Sequence, residues 1–166
     1  RQRQLIDWVE GEQRPDLKHA MVIGDSVFMR LQSTTGYCTP VYKRLVGSFN
    51  LTHIPHHIGG SRPVLKSIES WLKKKPKVLH INCGLHDLTT LASGARFPAH
   101  VPIEEYSENL QKIINILKEQ EVEHIIWGTL TPLNEDSYKK TIVRAIKDID
   151  RYNDAANEVM VRNEIE

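Results

Sequence analysis

Apolar residues along this chain fall into two kinds of stretch: four short, nearly uninterrupted runs, and between them longer segments in which apolar positions recur every three to four residues. The short runs, at 19–24, 49–54, 77–82 and 123–129, read as buried strands. The longer ones read as helices at 37–46, 63–75 and 103–121, with a fourth from about residue 137 onward. Gly47 punctuates the end of the first helix. Val64, Leu65, Ile68, Trp71 and Leu72 form the apolar stripe of the second, which starts at Ser61 or Arg62 just before Pro63 and closes at Pro76. Tyr106, Leu110, Ile113, Ile114 and Leu117 do the same in the third, and Ile142, Ile146, Ile149, Ala156 and Val159 in the fourth. A short amphipathic segment, Leu5-Ile6-Asp7-Trp8-Val9, reads as an N-terminal helix that packs through Trp8. Trp71 and Trp127 sit in apolar patterns and are expected in the core.

Strands that alternate with helices pair in parallel and are joined by right-handed crossovers that place helices on both faces. The predicted fold class is therefore α/β, three-layered. Ligands of such sheets bind beyond the carboxyl ends of the strands, so the residues directly after each strand carry the functional information.

Composition narrows the reading. A length of 166 residues fits one domain. Lys plus Arg is 22 against 21 Asp plus Glu, a formal charge of +1, which argues against a polyanion partner, and no nucleic-acid role is expected. Apolar residues make up 40% and charged residues 26%, with no apolar run approaching the ~18 residues of a membrane span, so a soluble protein is expected. Cys38 and Cys83 are too few for a disulfide scaffold. The chain opens Arg1-Gln2-Arg3-Gln4 without a Met or an apolar signal core, and the compartment, cytoplasmic or secreted after signal removal, is open.

Three successive strand ends carry candidate chemistry. After the first comes Gly24-Asp25-Ser26, which places a hydroxyl at a helix N-terminus where free N–H groups and the dipole favour an anionic oxygen. Taken alone, the tripeptide reads as Asp25 or Ser26 capping the following turn. After the second comes His56-His57-Ile58-Gly59-Gly60-Ser61, whose glycines let a backbone N–H approach a ligand. After the third comes Asn82-Cys83-Gly84-Leu85-His86-Asp87.

This combination resembles the SGNH (GDSL-type) hydrolase family, esterases and acyl hydrolases on a flavodoxin-like sheet, from about residue 20 to the end of the chain. The resemblance implies that Ser26, in a first block with Asp25, is the nucleophile and that its own N–H is one oxyanion donor. It implies a second donor at the N–H of Gly60 or Gly59, with Gly60 preferred. The family's third block is Gly-x-Asn-Asp, and this chain reads Gly84-Leu85-His86-Asp87, so His86 stands where an asparagine side chain would donate. An imidazole can supply one N–H once its tautomer is fixed. Without such a replacement, the loss of one oxyanion donor lowers turnover by roughly 10²–10³. The competing reading is a helix-capping Asp87 beside a surface His86. In the long connection 88–102, Leu88, Thr89 and Phe97, together with Asp87, are expected to line a substrate pocket.

A serine hydroxyl needs a base. The family places it in an Asp-x-x-His block close to the C-terminus, and no such block follows Thr129 here. The chain stops where a fifth strand would begin, so the last strand and helix are expected to be missing by truncation. Among the histidines present, His57 is the best substitute. A metal site from His53, His56 and His57 is disfavoured because Pro55 forbids helical spacing, and neither a metal nor a cofactor is expected.

The expected function is a serine esterase acting on small acyl or acetyl esters, among them acetylated carbohydrate, through an acyl-enzyme on Ser26, with a small-molecule ester as partner. Two alternatives stand beside it: an acyltransferase using the same serine, and a binding module that keeps the crevice without the base. A nucleotide-binding domain is disfavoured because the first strand turn lacks a multi-glycine phosphate cradle. The lysines of Lys73-Lys74-Lys75-Pro76-Lys77 read as dipole-complementing charges at a helix end, and the sequon Asn50-Leu51-Thr52 falls inside a strand.

Overall fold

A computed structural model describes residues 6–7, 14–25, 38–54, 58–91, 100–132, 142–144 and 148–165. The chain runs β1 (Ile6–Asp7), β2 (His19–Ile23), α1 (Cys38–Leu45), β3 (Asn50–His53), α2 (Ser61–Trp71), β4 (Val78–Ile81), β5 (Thr89–Leu91), α3 (Ile103–Glu119), β6 (His124–Trp127), β7 (Ile142–Arg144) and α4 (Ile149–Arg162). Five strands form the main sheet in the order β1-β3-β2-β4-β6, and β5 pairs with β7 in a separate ribbon.

The pairs β3–β2, β2–β4 and β4–β6 are all parallel, as the alternation of runs predicts. The path steps from β2 out to β3, then back across β2 to β4 and on to β6. With right-handed crossovers, that reversal puts α1 on one face and α2 and α3 on the other, which makes the three layers. Helix α2 packs on α3, and α3 on α4.

Burial follows the stripes. Tyr106, Leu110, Ile113, Ile114 and Leu117 are all fully buried on α3, and Val64, Ile68 and Trp71 on α2, against Met21, Ile23, Leu79 and Ile81 of the sheet. Trp127 joins the same core. Asn50 of the sequon is buried, and its amide donates to the carbonyls of Arg14 at 2.7 Å and Leu17 at 3.1 Å. Lys73 and Lys74 lie exposed in a 3-10 turn that prolongs α2.

Two segments depart from the periodic reading. Ile6 and Asp7, expected in a helix, pair antiparallel with His53 and Thr52 and cover the outer edge of β3; Trp8 lies outside the described residues. The fourth helix begins at Ile149 and not near residue 137, because Ile142, Val143 and Arg144 pair antiparallel with Leu91, Thr90 and Thr89. Ile142 and Ile149 fit a helical stripe by spacing, yet the β-branched pair Ile142-Val143 is equally suited to a strand, and a partner strand within the 88–102 connection decides the outcome. No helix among the described residues is long and apolar enough to cross a membrane.

Candidate active site

The carboxyl ends of the parallel strands are bound into one edge. Ile54 N–H donates to Val22 O at 3.3 Å, Asn82 N–H to Ile23 O at 3.0 Å, and Gly128 N–H to Ile81 O at 2.9 Å. The Asn82 side chain adds bonds to Gly128 O at 2.7 Å and Thr129 O at 3.0 Å. The ends of β2, β4 and β6 are thus held in register, and whatever follows them is delivered to the same side of the molecule.

The segment after β4 folds as a compact turn, with Asp87 N–H on Gly84 O at 2.9 Å and Thr89 N–H on His86 O at 3.2 Å. Gly84 takes φ +140°, and a Cβ there would meet Tyr106 Oη at 2.8 Å and Leu130 Cδ2 at 2.9 Å, so both its conformation and its surroundings demand glycine. Tyr106, buried on α3, donates its hydroxyl to Cys83 O at 3.0 Å and anchors the start of the turn. Val101 N–H donates to Asp87 O at 3.0 Å, and Tyr152 of α4 donates to Val101 O at 2.5 Å, which closes the turn from the far side.

The segment after β3 reaches the same place through a helix start. Gly59 adopts φ +76°, and Gly60, extended at φ −95°, is the N-cap of α2 without a capping side chain of its own. Asp87 supplies the cap from another segment. The Ser61 N–H bonds to Asp87 Oδ1 at 3.0 Å and Oδ2 at 2.9 Å, and the Ser61 hydroxyl donates to Oδ1 at 2.6 Å. Asn109 of α3 donates to Ser61 Oγ at 3.1 Å. A carboxylate facing the first free N–H of a helix is favoured by both hydrogen bonding and the dipole. Outside this core, Arg62 and Glu105 form a two-pronged ion pair at 2.5 and 2.6 Å that staples α2 to α3 at the surface.

Electrostatics mark the centre of this edge. Burial drives the Asp87 carboxyl up to about 6, against the pull of the hydrogen bonds from Ser61. Burial also pushes the Cys83 thiol far up, with Asp87 and Asp25 adding to the effect, so Cys83 is a neutral thiol. Asp25 is itself buried, at 1% exposure, directly after β2.

The sequence-based candidates therefore sort as follows. Gly60 and Asp87 are in direct contact, His86 sits half-buried on the Asp87 turn, and Asp25 approaches that turn through Cys83. Asp87 and Leu88 are fully buried, Asp87 bonded to Ser61 and Leu88 within the apolar core. Thr89 is buried at the start of β5. Ser26, His56, His57 and Phe97 lie outside the described residues. Among the described residues no three His, Cys, Asp or Glu side chains are grouped to hold a metal ion. Sequence reasoning placed Ser61 at a helix start without its bond to Asp87, and it missed Asn109. Asn109 left a signal, a carboxamide three residues from Tyr106 on the apolar stripe of α3, where a buried polar group needs a partner.

No family model matches this chain. It is 31% identical over 99 residues to GDSL esterase/lipase WDL1 of Oryza sativa subsp. japonica, a match spanning 57% of this chain and 38% of that protein, so the match spans well under half of the relative's length. Among solved structures, TesA superposes with a TM-score of 0.65 at 16% identity, covering 89% of this chain and 76% of TesA. A Geobacillus acetyl-xylooligosaccharide esterase, Axe2, gives a TM-score of 0.64 at 15% identity, with 89% and 74% covered. Likeness at such low identity is likeness of fold.

Proposed function

We propose that this chain belongs to the SGNH (GDSL-type) hydrolases and carries the nucleophile and oxyanion site of a serine ester hydrolase, a reading supported by its likeness to a GDSL esterase/lipase and by its fold. Ser26 attacks the ester carbonyl, the carbonyl oxygen takes the charge, and the alcohol leaves to give an acyl-enzyme that water then hydrolyses. The N–H groups of Ser26 and Gly60, with Gly59 as the neighbouring alternative, and an imidazole N–H of His86 stabilise the tetrahedral oxyanion. The base that takes the Ser26 proton is a histidine, and His57 is the candidate within this sequence. Small acyl and acetyl esters are the substrate class, and acetylated carbohydrate falls within it.

The observation that supports this reading most strongly is the contact between Gly60 and Asp87. It joins the second and third blocks at the edge to which β2 delivers Asp25, the residue before Ser26. A donor placed there costs no reorganisation when charge develops. Asp25, buried directly after β2, immediately precedes Ser26 in the chain.

The test is turnover of a chromogenic acetate ester by the natural full-length protein and its Ser26→Ala variant. Loss of turnover in the variant supports the reading, and equal rates would end it. A second reading is a binding module that retains the crevice without turnover. In that case the ester binds without burst or turnover. Transfer of the acetyl group to an added alcohol in preference to water would identify an acyltransferase.

A further inference from the structure

Asp87 does more than satisfy a helix end. The peptide unit it grips is the one that joins Gly60 to Ser61, and its carboxylate also lies against the Gly60 Cα, leaving a Cβ there only 2.2 Å from Oδ2. Residue 60 is thus held from two directions, by the bonds to Ser61 and by contact with its own Cα. Ser61 is held in turn by Asn109 of α3, and all three side chains are buried.

We propose that Asp87 is a positioning residue for the Gly60 amide: with Ser61 and Asn109 it fixes the direction in which that N–H points, and so the strength of the oxyanion site. The inference rests on the reading of Gly60 as an oxyanion donor and names the residue that makes the donor effective. The chemistry is specific to a carboxylate. Ser61 presents an N–H shared by both oxygens and an O–H on one of them, and only a group with two acceptor atoms takes both without a donor turned inward. A carboxamide at 87 has to set its NH2 against one of these donors, or rotate and release the turn.

Four groups face Asp87 electrostatically: Arg62 of α2, Tyr106 of α3, Tyr152 of α4, and Cys83 after β4. Arg62 is paired with Glu105, and the other three are neutral at pH 7, so burial and the Ser61 bonds dominate the carboxyl. Protonation near pH 6 removes one acceptor and loosens the grip on Ser61.

The experiment compares Asp87→Asn and Ser61→Ala with the wild type in the natural full-length protein. It uses a chromogenic acetate ester across pH, together with hydrogen exchange of the amides of Gly60, Ser61, Arg62 and Val64. Asp87→Asn is expected to lower kcat by roughly 10²-fold, the scale of one lost oxyanion donor, with KM within about threefold. Ser61→Ala keeps the carboxylate and removes one donor, so kcat falls about tenfold and the acid limb of its pH profile moves to higher pH, because a bond that held the carboxyl down is gone. These four amides exchange faster in both variants. Wild-type kcat in Ser61→Ala with an unmoved acid limb would overturn the proposal, whether or not Asp87→Asn folds. Should the wild type fail to turn over the ester, the esterase reading falls and exchange alone decides: unchanged protection overturns the role of Asp87, and faster exchange sustains it as the holder of this turn.

Discussion

A Cβ on residue 60 would fall 2.2 Å from Oδ2 of Asp87 and 2.7 Å from its Cγ, so the helix start and the carboxylate occupy space that only glycine leaves open. Because Asp87 is itself locked by Ser61, it has no easy way to retreat. Gly60→Ala is expected to destabilise the protein by about 3 kcal/mol. Gly59→Ala, strained at φ +76° and 3.1 Å from Pro63 Cγ, is expected to cost about 1–2 kcal/mol. Urea midpoints at unchanged m-value measure both, and a wild-type midpoint for Gly60→Ala would contradict the packing.

Tyr106→Phe removes the donor to Cys83 O without changing the shape of the buried ring. The carbonyl left behind is buried, so a loss of about 1–3 kcal/mol is expected. By contrast Glu105→Gln weakens an exposed pair with Arg62 and is expected to cost under about 1 kcal/mol. Equal losses from the two changes would show that burial does not govern these bonds.

His53 is buried on β3, and burial lowers its pKa below the ordinary 6.5. The unfolded chain therefore takes up the proton first, and the stabilisation from a neutral His53, present in full above pH 6.5, is lost as pH falls below it. His53→Gln is expected to lose less stability than the wild type between pH 7 and pH 5. Denaturation at the two pH values checks this, and identical losses would contradict it.

Asp87 has the opposite sign. Its carboxyl rises from about 4 in an unfolded chain to about 6 in the fold. The folded state then holds its proton more tightly, so this contribution is full below pH 4 and is lost as pH rises through 6. The stability of the wild type relative to Asp87→Asn should therefore decline between pH 4 and pH 7. A difference that grows over that range would contradict the buried placement.

Much of the architecture was legible because it rests on periodicity. The stripe from Tyr106 to Leu117 and the run His19–Ile23 announce one helix and one strand whatever surrounds them, and the parallel order follows from their alternation. What escaped notice depends on partners distant in sequence. Ile142–Arg144 pairs with Thr89–Leu91, and Ile6–Asp7 with β3, in segments short enough to suit either state. At the site, Gly60 and His86 could be read as motif positions, while the inward turn of Asp87 toward Ser61 and Asn109 depends on a helix start 26 residues away in the chain. The helix that Asp87 caps is α2, through Ser61.

The central claim is that Ser26 is an activated nucleophile at this edge, and covalent capture tests it most directly. The natural full-length protein is exposed to a reactive phosphonate ester, digested and mapped by mass spectrometry. The account predicts one adduct, on the peptide that contains Ser26, and none in Ser26→Ala; an adduct on another residue, or none on the wild type, would contradict it.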